Sequence, residues 1–391
     1  MSTLCSQIHT PISPAFLLGA VEIEQTPRGL MPHRLPAWAR TQCADPQLAM
    51  VESQPSGVRL AFRTSATAIE LDVLPTRYAY VGAPQRPAGI YDLLINDQLT
   101  RQCSATSADL VLIDMATGNR TKQAGSINHL RFYDLPAGNK KIEIWLPHNE
   151  TTELIALRAD AALAPVNTAS RKRWLHHGSS ISHGSNAESP SRIWPALVAN
   201  QNKVDLLNLG LGGSALLDPF TARTLRDLPA DFISLKIGIN LVNSDLMRLR
   251  AFTPAVHGFI DTLRDGHPDT PLLVISPIYC PIHEDTPGPG AFDLAALAEG
   301  KVIFTATGRS AETRAGKLTL RIIRDELHRI VQQRAASDRN LHYLNGLDLF
   351  GPEDFAEFPL PDHLHPDGAG HQRIAQRFAE RAFGNDGVFS V

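Results

Sequence analysis

The sequence predicts two folds in series: an antiparallel β-sandwich, then an α/β domain built on a parallel sheet. Three observations carry this expectation. A chain of 391 residues is long for one domain and comfortable for two. Residues 1–160 alternate apolar and polar side chains with a period of two, as half-buried strands do. After Arg171 short apolar runs alternate with segments of helical periodicity, which is how a parallel sheet covered on both faces is encoded.

In the first part, Val58, Leu60 and Phe62 alternate with polar neighbours, as do Ile69, Leu71 and Val73. Tyr91, Leu93 and Ile95 repeat the pattern, and Ile142, Ile144 and Leu146 close it. One face of each strand is expected to be buried and the other wet. Asn96-Asp97 and Ala137-Gly138-Asn139 stand where hairpin turns are needed. Ala159–Ser170 has the composition of a linker, so domains are expected over 1–160 and 171–391.

In the second part, strands are expected at Arg173–His177, Val204–Leu209, Phe232–Ile237, Leu272–Ile278 and Leu341–Leu344. Helices are expected at Ser191–Asn200, Phe220–Leu228, Ala255–Arg264, Leu318–Val331 and Gly370–Phe383. The Leu318–Val331 segment puts Leu320, Ile323, Leu327, Ile330 and Val331 on one face. Ligands of such sheets bind at the carboxyl ends of the strands, so functional residues are sought there.

Composition narrows the function. Lys+Arg 37 against Asp+Glu 40 leaves a formal charge of −3, which gives no basic footprint for nucleic acid or anionic lipid. No apolar run is long enough to span a membrane, and the first ten residues lack the basic start of a secretory signal. Cys5, Cys43, Cys103 and Cys280 are scattered without C-x-x-C spacing and read as reduced thiols. A cytoplasmic protein that binds neither nucleic acid nor membrane is expected.

Unusual residues gather at three strand ends and one late loop: Gly178-Ser179-Ser180-Ile181-Ser182, Asn208-Leu209-Gly210-Leu211-Gly212-Gly213, Gly238-Ile239-Asn240, and Asp362-His363-Leu364-His365-Pro366. Each alone could be a turn, a cap or a surface loop. Together they supply what acyl transfer needs: a hydroxyl nucleophile, an imidazole to take its proton, a carboxylate to hold that imidazole, and donors for an oxyanion.

The order Gly-Ser-Ser-Ile, Asn-x-Gly-x-x-Gly, Gly-x-Asn, Asp-x-x-His-Pro resembles the blocks of the SGNH (GDSL-type) hydrolases. The chain is most similar to a two-domain branch, in which a β-sandwich carrying a motif like Gly89-Ile90-Tyr91-Asp92-Leu93 precedes the catalytic domain. The resemblance implies a flavodoxin-like three-layer α/β/α domain behind a jelly-roll-like sandwich. It makes Ser180 the nucleophile and Asp362 and His365 its triad partners. The N–H groups of Ser180 and Gly213 and the Asn240 amide become the oxyanion hole. Two positions depart from the pattern, since Ser179 and Leu241 stand where aspartates are usual; neither is a triad member. Ser182 and Ser185 are rival hydroxyls placed past the turn.

Histidines 176, 177 and 183 near Ser180, with 363, 365 and 371 near the last loop, raise the question of a metal. No His-Glu-x-x-His helix or Cys cluster accompanies them, so neither metal nor cofactor is expected. His176 and His177 must point to opposite faces of their strand, so one of the pair, His177, is expected to line the substrate pocket. Trp145, in Trp145-Leu146-Pro147-His148, is a second candidate wall, and Pro281–Gly316 a candidate substrate-selecting lid. Gly210–Gly213 lacks the marks of a nucleotide loop. The function expected is a serine esterase acting on a small-molecule ester. The alternatives are an acyltransferase on the same acyl-enzyme, and a non-catalytic carbohydrate-binding protein.

Overall fold

Contacts in the computed structural model, which describes residues 8–114 and 117–390, divide the chain into two compact units. The first comprises residues 1–36, 52–170 and 189–191; the second comprises 37–51, 171–188 and 192–391. Residues 37–51 thus lie with the α/β unit, and three residues just beyond Ser180 lie with the β unit.

The first unit holds an eight-stranded and a six-stranded sheet whose inner faces share one apolar core. Leu60, Phe62, Leu93, Ile142 and Ile144 from one sheet meet Ile69, Leu71, Val73, Leu130 and Leu157 from the other. Pairing is antiparallel save for Thr76–Tyr80, which runs parallel to Asp109–Ile113. The turn at Asn96-Asp97 takes left-handed φ of 49° and 69° between strands Ile90–Ile95 and Gln98–Ser104, as a tight hairpin requires.

Two local expectations are corrected. Ala137-Gly138-Asn139 joins strands of different sheets, because Asn128–Phe132 pairs with Ile69–Tyr80 whereas Lys140–Trp145 pairs with Arg59–Thr64 and Ile90–Ile95. Within Ala159–Ser170, Ala164 and Pro165 pair with Arg63 and Phe62, so part of that segment is an edge strand. Nor is the second face of the central strands uniformly wet. Glu70 and Asp72 are buried and receive Arg158, while buried Glu143 faces Arg59. A buried carboxylate persists where a cation neutralises it.

Asp92 explains why 189–191 belong to this unit. Its carboxylate is fully buried and accepts the Ser189 hydroxyl at 2.6 Å, the Ser191 N–H at 2.9 Å and hydroxyl at 2.6 Å, and the Gln102 amide at 2.8 Å.

The second unit is a five-stranded, wholly parallel sheet. Its spatial order is Asp205–Gly210, Arg173–Gly178, Phe232–Lys236, Leu272–Ile275, Leu341–Leu344. In sequence terms this is 2-1-3-4-5, the flavodoxin arrangement. Helices Trp194–Asn202 and Gly368–Phe378 cover one face, where Trp174, Trp194 and Phe378 interlock with ring centroids 5.1–5.9 Å apart. Leu249–Gly266 covers the other face, with Phe259 stacked on His177, and packs between Pro219–Asp227 and Leu320–Ala335. The first and third strands to be made lie side by side with the chain leaving them toward opposite edges, which opens a crevice at their carboxyl ends. Ser180 follows the first of these strands and Asn240 follows the third.

Candidate active site

Each block of unusual residues ends at that crevice. Strand Arg173–Gly178 runs into the short helix Ser180–His183, closed by Gly184 at φ 115°. Asn208 ties the next strand to this helix: its amide donates to the Ser182 carbonyl at 2.9 Å and its oxygen accepts the Gly210 N–H at 3.0 Å. A side chain on Gly210 would run into the backbone of Ser182 and His183, so the two turns approach as closely as they do only because Gly210 has none.

Ser180, His365 and Asp362 form one hydrogen-bonded series. The Ser180 hydroxyl stands 2.8 Å from His365 Nε2, and His365 Nδ1 stands 2.7 Å from Asp362 Oδ2. Asp362 also accepts the backbone N–H groups of Leu364 at 2.9 Å and His365 at 2.7 Å and the Asn186 amide at 3.0 Å. Burial opposes ionisation of this carboxyl, yet the His365 hydrogen bond and charge and the two backbone donors prevail and hold it down at about 2. An ionised Asp362 keeps the Nδ1 proton on its side of the ring and leaves Nε2 free to accept from Ser180. Ser180 and His365 are each 9% exposed.

Asn240 and Gly213 follow the third and second strands of the sheet. Asn240 is buried and its side-chain oxygen accepts the Ala215 N–H at 3.1 Å. Among the described residues, neither its amide NH₂ nor the N–H of Gly213 meets an acceptor within the protein. Gly213 holds φ at +73° and is exposed, and Gly212 rests on Ser180, with its Cβ position 3.6 Å from that of the serine. The carbonyl of Gly212 accepts Nε2 of Gln47 at 2.9 Å.

The rival hydroxyls lie elsewhere. Ser182 is fully buried, with its Oγ 2.8 Å from His176 Nε2; His176 Nδ1 is 2.7 Å from the Ser234 hydroxyl, which also accepts the Trp174 indole N–H at 2.8 Å. Burial drives the His176 pKa well below its ordinary value. This second serine–histidine pair braces the layer under the sheet. Ser185 offers its carbonyl to His371 Nε2 at 3.0 Å.

His176 and His177, one of which is expected to line the pocket, are both buried. His177 is 2% exposed, hydrogen-bonded through Nδ1 to the Leu209 carbonyl at 2.8 Å and stacked on Phe259. Strand alternation sends it under helix Leu249–Gly266 and sends His176 under the opposite layer, against Trp194. Trp145, 1% exposed in the first unit, donates its indole N–H to Glu143 at 3.2 Å and carries Arg59 over its ring. It packs as a strand end.

Phe304 was not anticipated. Pro281–Gly316 contains the hairpin of Gly290–Phe292 with Phe304–Ala306 and the helix Leu294–Ala298. The Phe304 N–H donates to the Asp362 carbonyl at 2.9 Å, and its ring meets the His365 imidazole edge-on at 5.6 Å. Phe292 packs on Phe304 at 5.0 Å and is partly exposed, and Leu294 is exposed. The only sequence signal was the unusual length of this connection. Among the described residues no group of three or more His, Cys, Asp or Glu side chains is placed to hold a metal ion, and no helix is long and apolar enough to cross a membrane. Cys43, Cys103 and Cys280 are free thiols; Cys5 lies outside the described residues.

A 2-1-3-4-5 parallel sheet with a Ser–His–Asp series on its carboxyl edge is the build of an SGNH-type α/β domain. Residues 177–373 match the GDSL-like lipase/acylhydrolase family, and the chain belongs to it. Among solved structures it resembles the salicylyl-acyltransferase SsfX3 from a tetracycline biosynthetic pathway at 29% identity and a TM-score of 0.77, over 95% of this chain and 94% of that one. A family two carbohydrate esterase from Clostridium thermocellum, in complex with cellohexaose, aligns at 12% identity and a TM-score of 0.58, over 93% and 96% of the two chains. An acetyl xylan esterase from the rumen bacterium Butyrivibrio proteoclasticus aligns at 11% identity and a TM-score of 0.55, over 98% and 99%. The last two likenesses speak to fold alone, including the extra N-terminal β domain. No curated protein matches the sequence.

Proposed function

We propose that this protein is a serine esterase that works through an acyl-enzyme on Ser180. One observation carries the proposal: in a chain of the GDSL-like family, Ser180 Oγ, His365 and Asp362 stand in series at 2.8 and 2.7 Å. Ser180 Oγ attacks the ester carbonyl carbon while its proton passes to His365 Nε2, and Asp362 steadies the imidazolium. The carbonyl oxygen, now negative, accepts hydrogen bonds from the N–H groups of Ser180 and Gly213 and from the Asn240 amide. As the carbon–oxygen bond to the alcohol breaks, His365 returns the proton to the leaving oxygen. Water, deprotonated by the same histidine, then releases the acid and restores Ser180.

A second reading is acyl transfer, in which an alcohol takes the place of that water. The 29% identity with an acyltransferase along nearly the whole of both chains favours it. The edge of Phe304 on His365, with Phe292 beyond it, fits an apolar acyl or alcohol group better than a charged one. Assay of short-chain and aromatic p-nitrophenyl esters, with and without added alcohol acceptors, separates the two. Hydrolysis gives free acid at the same rate under both conditions, whereas transfer gives a new ester and faster nitrophenol release. Loss of neither product in Ser180→Ala would defeat both readings.

A further inference from the structure

We infer that Gln47, from the N-terminal part of the chain, is a positioning residue that locks the Gly212–Gly213 peptide with its N–H toward the reacting oxygen. The inference rests on the acyl-enzyme reading above.

The peptide bond between Gly212 and Gly213 is trans, so its C=O and N–H lie in one rigid plane and point in opposite directions. The proposed oxyanion donor is the N–H of that plane, and the Gln47 amide donates to its C=O at 2.9 Å. A peptide flanked by two glycines turns over with little steric resistance, because neither residue carries a Cβ. Turning over would set a carbonyl oxygen where a donor is required and would repel the developing charge. Holding the oxygen at Gln47 opposes that flip. It also polarises the group, since a peptide whose carbonyl accepts a hydrogen bond presents a stronger N–H. The Gln47 side chain lies across the turn, 3.3 Å from where a Cβ on Gly213 would stand.

Gln47 is itself held in place. It lies in the first turn of helix Pro46–Ser53, whose start is fixed by the Asp45 carboxylate accepting the Leu48 N–H at 2.7 Å. The preceding segment is pinned to helix Pro219–Asp227, where Arg223 stacks over Trp38 at 5.2 Å and bonds the Gln42 side chain. This is a physical reason for 37–51 to cluster with the α/β unit. Gln47 is exposed, so its replacement does not threaten the core.

The test compares Gln47→Met, which keeps the length and loses the donor, with Gln47→Lys, which keeps a donor. The readouts are the rate of labelling by a fluorophosphonate, whose phosphoryl oxygen occupies the same hole, and kcat and KM on a p-nitrophenyl ester that the wild type turns over. Gln47→Met is expected to slow labelling and kcat by roughly 10–100-fold, with KM changed less than about twofold, because misplacing a group by about 1 Å costs up to about 10². Gln47→Lys is expected to recover most of the loss, and melting temperatures should stay close to wild type. Wild-type labelling and kcat in Gln47→Met, alongside a large loss in Asn240→Ala, would overturn the inference and leave the acyl-enzyme reading standing. Undiminished labelling in Ser180→Ala would overturn that reading instead.

Discussion

The side-chain oxygen of Asn240 accepts the backbone N–H of Ala215 at 3.1 Å, and this bond fixes which end of the amide is left to donate. An asparagine held by its oxygen keeps its NH₂ available, as the oxyanion role proposed for it requires. Asn240→Asp keeps an acceptor for Ala215 and removes the donor. It is expected to lower kcat by about 10²–10³ with little change in KM, the loss typical of one such donor. Kinetics and melting temperature measured on the same variant check it. A large drop in melting temperature with normal kcat would make Asn240 a structural residue only.

Two serine–histidine pairs lie two residues apart along one short helix, and a covalent probe tells them apart. A fluorophosphonate is expected to label Ser180 alone, with labelling abolished in Ser180→Ala and kept in Ser182→Ala. The latter should instead be less stable by about 1–3 kcal/mol, because His176 Nε2 is left buried without its partner. Peptide mapping of the adduct and a urea titration give the two answers; an adduct on Ser182 would reverse the assignment.

Asp92 gathers four donors on a fully buried carboxylate, three of them from Ser189 and Ser191. Asp92→Ala strands those groups and is expected to cost about 2–3 kcal/mol of stability, the scale of hydrogen bonds to a charged group. Chemical denaturation followed by tryptophan fluorescence measures it. An unchanged midpoint would show the cluster to be dispensable.

Asp218 supplies a pH test. Burial, then the nearby Asp45 carboxylate, raises its pKa to about 6. The folded chain therefore holds a proton that the unfolded chain releases near ~3.9, and stability falls as pH rises between those values. Asp218→Asn removes this penalty. Its melting temperature is expected to exceed that of the wild type at pH 7.5 and to converge with it below about pH 4. A constant difference across the range would mean that charge is not the cause.

Much of this architecture is written locally. The apolar run Leu272–Ile275, too short for a helix and buried at all four residues, reads as a strand covered on both faces, and helix Leu320–Ala335 follows from the 3.6-residue spacing of its buried side. Asp362 and His365, three residues apart, form their bond within one turn of chain, so the late loop carries its own geometry. The fates of the two adjacent histidines were not legible in this way. Alternation separates His176 from His177, but which helix covers each face depends on the order in which strands assemble.

From its sequence alone the protein determines what short-range periodicity and compact motifs can encode. These are a β region followed by an α/β region, the strand ends that carry Ser180, Gly213 and Asn240, and the Asp362–His365 loop. Tertiary structure alone decides the 2-1-3-4-5 order that brings the first and third strand ends together and sets Phe304 against His365. It also decides the attachment of Gln47 to a carbonyl 165 residues away and of Ser189 and Ser191 to Asp92. The reason is physical: a hydrogen bond between distant segments leaves no period in either, since each end needs only a donor or an acceptor that many residues could supply, and the fold selects which ones meet.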